Sequence, residues 1–317
     1  MKKQLLAAGF VFFYFMLPLK TMAANFSQIY AFGDSIVDDG NAFDLTQAAI
    51  GVEFPPSPPY FEGRFSNGPV WVEYLADDLG ITSTNFAVGG ATTGTSNLVF
   101  PFLPGLVQQI QGFTATNPIA DKNALYAIWA GGNDYFSGDI QEPTQPVNNL
   151  MNAVTSLANV GAKNFLVFNL PDLGNAPSTR NLPNSAELNA LTKAHNETLT
   201  QALNTLSKQE PNLNLTLFDE NSLANRIIAN KEEFGFTNVT DPCLQFNSPT
   251  TFKICNNPDE YLFWDENHPT TRGHRVLAGA VLVAVPESST MLGTLVFAAL
   301  GVAGTLKHQQ KKSALTP

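Results

Sequence analysis

Short apolar runs alternate with longer amphipathic segments along this chain, and this alternation constrains the fold more than any other feature. The strand-like runs are residues 28–32, 125–129, 164–169 and 213–218. The helix-like segments include 70–79, 185–208 and 271–283. Strands that alternate with helices predict a parallel sheet covered on both faces. The roughly 260 residues of the body are enough for one α/β domain.

Ser35 directly follows the first predicted strand, in the sequence Gly33-Asp34-Ser35. A serine that leaves a strand and enters a turn has its hydroxyl lifted out of the sheet. We expect a helix to follow and to point its partly positive N-terminus at that hydroxyl. Ser35 is therefore a candidate nucleophile, although Gly-Asp-Ser is also ordinary turn chemistry.

A base for such a serine is available far along the chain, where Asp265 precedes His268 by three residues. The carboxylate can reach back within one loop and hold Nδ1–H, which leaves Nε2 free to accept a proton. The alternative is a helix-capping aspartate beside a core histidine. The other histidines are poorer candidates, because His195 lies in a polar helical stretch, His274 on the following helix and His308 in a basic tail.

Two further turns carry groups that could bind an anion. Asn133 follows Gly131-Gly132 at the end of the run 125–129, where open α/β sheets build their sites. In the stretch 85–93, Gly89 and Gly90 allow a backbone N–H to approach a ligand closely. Each could equally be a plain turn that ends a strand.

Taken together, the serine, the glycine, the asparagine and the Asp-x-x-His resemble the motif blocks of the GDSL-type esterases and lipases of the SGNH hydrolase superfamily. The resemblance runs from about residue 30 to residue 283. It implies a three-layer α/β/α sandwich with a parallel, flavodoxin-like sheet. Ser35 matches the nucleophile, and Asp265 and His268 match the rest of the catalytic triad.

The same resemblance assigns the oxyanion hole to the Ser35 N–H, a glycine N–H and the Asn133 side chain. Gly90 gives the better match for the glycine, and Gly89 remains the alternative. The implied reaction is hydrolysis of a small-molecule, lipid or glycan ester through an acyl-Ser35 intermediate, with neither cofactor nor metal. A carbohydrate O-acetylesterase that acts on surface or plant polysaccharide is one alternative, and an inactive surface or matrix adhesion protein is another.

The start of the chain predicts export. Lys2 and Lys3 precede an apolar run over 5–17, and small residues follow at Ala23 and Ala24. This pattern is typical of a secretory signal peptide, here residues 1–24, and leaves 25–284 as the hydrolase domain.

The end of the chain, 285–317, combines Pro286-Glu287, an apolar run over 291–306 and a basic tail. Sixteen helical residues reach roughly 24 Å, short of the roughly 30 Å hydrocarbon core of a membrane. The layout resembles the bacterial PEP-CTERM sorting signal, with Ser288 in place of the second proline of that motif. An ordinary C-terminal anchor is the alternative. Both predict an extracellular or cell-surface enzyme that contacts the export or sorting machinery and touches the membrane through this segment.

Charge and cysteine content fit this location. Between the two terminal segments lie 11 basic and 26 acidic residues, a net charge of −15, which excludes nucleic acid as a partner. Cys243 and Cys255 are the only cysteines, and we expect a disulfide between them in an oxidising compartment. Two buried thiols are the alternative, and a metal site is a poor fit because no histidine pair lies nearby. Two loops rich in proline and aromatic residues, 54–61 and 98–104, either shape an apolar acyl pocket or pack against the body.

Overall fold

The computed structural model describes residues 26–138, 140–248 and 251–285. Its central sheet has five strands, which are β1 (Gln28–Gly33), β2 (Thr82–Asn85), β3 (Leu125–Trp129), β4 (Asn164–Phe168) and β5 (Asn214–Phe218). They lie in the order β2-β1-β3-β4-β5, and every pair of neighbours is parallel. This is the flavodoxin-like order, in which sites form beyond the carboxyl ends of the strands.

Helices cover both faces of the sheet. In chain order they are α1 (Asn41–Ile50), α2 (Trp71–Leu79), α3 (Leu106–Thr116), α4 (Gly132–Phe136), α5 (Thr144–Asn159), α6 (Ser185–Gln209), α7 (Glu220–Ala229) and α8 (Thr271–Ala284). The chain of contacts from α3 through α5 to α6 forms one outer layer, whereas α2 packs on α8 in the other. The predicted three-layer α/β/α sandwich is confirmed.

The alternation of side chains along the strands explains why both faces are covered. Phe32 and Tyr126 point to one face and join the buried cluster formed with α3 and α5. On the opposite face, the rings of Trp129 and Phe168 stack at 4.7 Å, and Trp71 of α2 packs against both. Strands buried on two faces are apolar along their whole length, which made β1, β3 and β4 readable from sequence.

The predicted elements agree with the observed ones to within two residues at each end. Gly80 ends α2 in the left-handed conformation at φ 67°, as its position after the helix predicts. β2 was not predicted, because Thr82–Asn85 is wholly polar and alternates between exposed and half-buried positions at the sheet edge. Its pairing with β1 depends on the backbone rather than on apolar side chains.

Within the described ranges, four short strands lie outside the central sheet and lead to α8. They are β6 (Asn238–Pro242), β7 (Leu244–Ser248), β8 (Thr251–Ile254) and β9 (Tyr261–Phe263). β6 pairs with β9, and β7 pairs with β8 as an antiparallel hairpin. A disulfide joins Cys243 to Cys255 across the base of that hairpin. This part of the chain delivers the loop that contains Asp265 and His268.

The described residues contain no helix with the length and apolar character needed to cross a membrane. The predicted signal peptide and nearly all of the predicted sorting segment, residues 1–24 and 286–317, lie outside the described residues.

Candidate active site

Ser35 lies at the carboxyl end of β1, on a turn that depends on Gly33. Gly33 has φ +150°, and a Cβ atom there would lie 1.9 Å from the carbonyl oxygen of Trp129, so only glycine fits. The N–H of Asp34 donates to that same carbonyl, which fixes the direction in which the chain leaves the sheet. Ser35 follows with 8 % of its surface exposed.

The helix that was expected to follow Ser35 is present, but it does not begin at the serine. A turn follows instead, and α1 begins only at Asn41. The physical reason is Asp38, whose carboxylate accepts the backbone N–H groups of Gly40, Asn41 and Ala42 and so starts the helix six residues later. The N–H groups at the start of α1 therefore donate to the Asp38 carboxylate rather than to the Ser35 hydroxyl.

His268 and Ser35, 233 positions apart, meet at hydrogen-bond distance. The His268 Nε2 atom lies 2.8 Å from Ser35 Oγ. On its other side, the ring Nδ1 lies 2.8 Å from both carboxylate oxygens of Asp265. A carboxylate at Nδ1 fixes the tautomer with the proton on Nδ1, so Nε2 accepts from the serine hydroxyl. The ring of Phe65 packs on the imidazole at 5.1 Å between centroids.

Asp265 is buried but well supplied with donors. Its oxygens accept the backbone N–H groups of Asn267 and His268, each at 2.8 Å, and the Tyr60 hydroxyl at 2.7 Å. Burial alone would raise the pKa of Asp265, but His268 and these hydrogen bonds outweigh it and leave that pKa below its ordinary value. Asp265 is thus held as a carboxylate.

For His268, burial favours the neutral ring, yet the facing Asp265 carboxylate dominates and raises the pKa of His268 above its ordinary value. Asp34 acts in the same direction. The pKa of Asp34 is itself raised to about 7 by burial. The pKa values of both Asp34 and His268 therefore lie above their ordinary values.

The two candidate glycines differ in what their N–H groups already bind. The Gly89 N–H donates to Asp38 Oδ2 at 2.7 Å, and its carbonyl accepts from Asn97 Nδ2 at 2.8 Å. The Gly90 N–H lies on the opposite side of that same planar peptide and has no acceptor in the described part of the chain. Gly90 also has φ +80° and lines the cavity beside Ser35. This geometry favours Gly90 over Gly89 as the donor.

Asn133 lies in α4, immediately after the end of β3. Its Nδ2 donates to the Ala91 carbonyl at 2.9 Å, which leaves the second hydrogen of the amide for another acceptor. The next residue, Asp134, accepts both the N–H and the hydroxyl of Thr93. The α4 turn and the glycine-rich loop are thereby tied together from both sides.

These groups open into one cavity of about 540 Å³, a size typical of small-molecule sites. Ser35, Gly90, Asn133 and His268 line one part of it. The remaining lining is largely apolar and draws on α7, β9 and α8. Within the described ranges, no group of three or more His, Cys, Asp or Glu side chains could hold a metal ion.

Sequence reasoning singled out the two loops 54–61 and 98–104 but missed the role of Tyr60 in the first of them. Tyr60 belongs to the proline-rich stretch, yet its hydroxyl reaches Asp265, and Phe246 of the disulfide-bonded hairpin stacks on its ring at 6.5 Å. Phe54, Leu98 and Val99 line the cavity, so both loops shape the pocket as well as packing against the body. Only the unusual density of proline and aromatic residues marked these segments.

Comparisons with known proteins point to one family. The family model described as GDSL-like Lipase/Acylhydrolase matches residues 29–281. The thermolabile hemolysin of Vibrio parahaemolyticus is 30 % identical over 290 residues, which cover 84 % of this chain and 64 % of the hemolysin. The phosphatidylcholine-sterol acyltransferase of Aeromonas hydrophila is 28 % identical and is covered over 88 % of its length, with 80 % of this chain. Among solved structures, an acetylxylan esterase from Geobacillus stearothermophilus aligns with a TM-score of 0.47 at 15 % identity, over 83 % of this chain and 95 % of that one.

Proposed function

The chain belongs to the GDSL-like lipase/acylhydrolase family of ester-hydrolysing enzymes, and we propose that it hydrolyses carboxylic esters through an acyl intermediate on Ser35. The observation that carries this proposal is the 2.8 Å approach of Ser35 Oγ to His268 Nε2, with Asp265 bound to the other side of the ring. A nucleophile, a base and a group that orients the base are the three parts that acyl transfer requires.

In the proposed reaction, His268 Nε2 takes the Ser35 proton while Oγ forms a bond to the ester carbonyl carbon. The Ser35 and Gly90 N–H groups and the Asn133 amide donate to the resulting oxyanion. Collapse of this intermediate breaks the carbon–oxygen bond to the alcohol, which leaves with the proton from His268. A water then repeats the sequence on the acyl-serine, giving its proton to His268 and releasing the carboxylic acid.

The walls of the cavity favour an apolar acyl chain over a bare acetyl group. Phe136, Leu223 and Ile227 are among the apolar residues that line the cavity, and an acetyl group would leave most of the roughly 540 Å³ unfilled. We therefore place a lipid-like ester first and the polysaccharide O-acetylesterase second. The intact arrangement of Ser35, His268 and Asp265 argues against an inactive surface or matrix protein.

A fluorophosphonate probe tests the proposed chemistry without knowledge of the natural ester. We expect stoichiometric labelling of the wild-type protein, with the added mass on the peptide that contains Ser35, because the probe reacts with an activated serine hydroxyl. Labelling should disappear after heat denaturation, which serves as the control. A folded protein that remains unlabelled would overturn the proposal.

The rate should fall on the acid side of neutrality, because only neutral His268 can accept the serine proton. Since the pKa of His268 is raised above 6.5, its ring becomes protonated at a higher pH than a free imidazole would. We expect kcat/KM to decline as pH falls, with a midpoint above 6.5 in a full pH profile. A midpoint below 6.5 would contradict the assigned role.

The pKa of Asp34 is raised to about 7, so the pH profile of an Asp34→Asn variant is the matched control. The Asp34 carboxylate raises the pKa of His268, and its removal should shift the midpoint to lower pH while the decline itself remains. If the decline vanishes in that variant, Asp34 rather than His268 is the group that titrates.

We also propose the location that the terminal segments predict. Residues 1–24 would act as a signal peptide and 285–317 as a sorting segment or anchor around the hydrolase domain 25–284, so that the enzyme acts outside the cytoplasmic membrane. The disulfide between Cys243 and Cys255 supports this location, because such bonds persist in oxidising compartments. The mass of the exported protein distinguishes a cleaved from a retained C-terminal segment.

A further inference from the structure

The cavity beside Ser35 continues along the carboxyl edge of the sheet as far as α7. Ser35 follows β1, Asn133 follows β3, Leu170 follows β4, and Leu223 and Ile227 lie on α7 just after β5. The strands β1 and β5 are separated by three strand spacings of about 4.8 Å each, or roughly 14 Å in total. A substrate that enters at Ser35 can thus extend past three strand ends before it meets α7.

Glu220, the first residue of α7, lines this distant part of the cavity. Its Oε2 atom is fully buried and has no hydrogen-bond partner among the residues that the structure describes. Buried polar atoms without a partner are rare in folded proteins, because burial without a hydrogen bond is costly. Of the α7 residues that share the cavity, Leu223, Ala224 and Ile227 are apolar, and the amide of Asn225 is bound to Asp172 and Asn221.

Glu220 is not needed to cap its own helix. The adjacent Asp219 does that, because it accepts the Ser222 N–H and hydroxyl and the Asn169 amide. Burial, reinforced by the Asp219 carboxylate, raises the pKa of Glu220 to about 8. At neutral pH the side chain is therefore largely an uncharged acid, with one O–H to donate and an oxygen to accept.

We propose that Glu220 is a specificity-determining residue that hydrogen-bonds an uncharged oxygen, such as a hydroxyl, on the distal acyl chain of the substrate. This inference rests on the proposed function and names the substrate class more narrowly, as esters of oxygenated long-chain acids. With C–C bonds of about 1.5 Å that advance roughly 1.25 Å each along an extended chain, 14 Å corresponds to roughly ten to twelve carbons from the scissile carbonyl.

An uncharged partner fits this part of the cavity better than a cationic one. An ammonium group would have to lose its hydration and would also require Glu220 to ionise, although burial and the Asp219 carboxylate both raise the pKa of Glu220. A hydroxyl carries no charge to desolvate and does not require Glu220 to ionise, because it can both donate to and accept from the neutral acid.

The test compares matched p-nitrophenyl esters on the full-length protein. The first pair is dodecanoate and 12-hydroxydodecanoate, and the second is hexanoate and 6-hydroxyhexanoate, which is too short to reach α7. Each pair gives a ratio of kcat/KM for the hydroxylated over the plain ester. Because the ratio is taken within one protein preparation, a partly unfolded variant does not distort it.

We expect the twelve-carbon ratio to fall about tenfold in Glu220→Met, which keeps the length of the side chain but removes its hydrogen bond. Glu220→Gln should retain most of the ratio, since its amide can still donate and accept. The six-carbon ratio should not change in either variant. An equal twelve-carbon ratio in wild type and Glu220→Met would overturn the inference.

A third substrate, the 12-ammoniododecanoate ester, separates the two ligand chemistries. Preference for it over the hydroxylated ester in the wild type, lost in Glu220→Met, would replace the hydroxyl site with a cation site and so overturn the proposal as stated. Failure of the proposed function is distinguishable from these outcomes, because plain p-nitrophenyl hexanoate and dodecanoate would then not be hydrolysed at all.

Discussion

Replacing Ser35 by alanine should lower kcat for a chromogenic acyl ester by at least about 10⁴-fold, while the protein keeps its fold. The change removes the atom that forms the acyl bond, and the Ser35 Oγ is the hydroxyl that lies 2.8 Å from His268 Nε2. Some activity above the uncatalysed reaction should survive, because the oxyanion donors and the bound substrate remain in place. The measurement is the initial rate at saturating ester.

Ser178→Ala is the matched control for this experiment. Ser178 lines the same cavity, and its hydroxyl donates to Asn267 in the loop that contains His268. If proximity to the site were enough, both variants would lose activity alike. We expect Ser178→Ala to stay within a few-fold of wild type, with an unchanged melting temperature for both. Full activity of Ser35→Ala would remove Ser35 from the mechanism.

The layers of the fold could be predicted from sequence because each strand or helix is indicated by the residues of its own segment. An apolar run such as 125–129 is buried on both faces of the sheet, and its composition alone identifies it as a strand. Because the strands are parallel, their carboxyl ends all lie at the same edge of the sheet. The polar groups after β1 and β3 were expected at one edge for that reason, and Ser35 and Asn133 do line one cavity there.

Contacts between distant segments could not be predicted in this way. Tyr60 binds Asp265 across 205 positions, and no local pattern in the proline-rich stretch indicates that its hydroxyl faces a carboxylate. No local pattern marks Glu220, since its place in the cavity depends on how α7 packs against β9 and α8. The role of Asp38 depends on where α1 begins, which the apolar pattern does not indicate.

The choice between Gly89 and Gly90 shows where spacing stops being informative. Both glycines fit the motif, and their backbone N–H groups differ only in what lies nearby. Asp38 occupies the Gly89 N–H, and Asn97 holds the carbonyl of that residue. These are contacts over 51 and 8 positions, which a single sequence does not reveal.

Asn133→Ala should lower kcat by about 10²–10³-fold and leave KM much less affected. The amide has one hydrogen on the Ala91 carbonyl and lines the cavity beside Ser35, so its second hydrogen can donate to the oxyanion. A donor that acts on the oxyanion binds the transition state more strongly than the substrate, and its loss appears in kcat. Steady-state kinetics with one chromogenic ester give both constants.

Asn133 could instead act only by holding the glycine-rich turn through Ala91, and Thr93→Val separates the two roles. Thr93 anchors the same turn from its other side, because its hydroxyl donates to Asp134 Oδ1 at 2.6 Å. If Asn133 matters only through the turn, Thr93→Val should cost a similar factor in kcat. We expect a loss below about tenfold for Thr93→Val, as for one hydrogen bond that does not touch the reacting atoms. Equal losses in the two variants would assign Asn133 a positioning role and leave the oxyanion to the backbone N–H groups of Ser35 and Gly90.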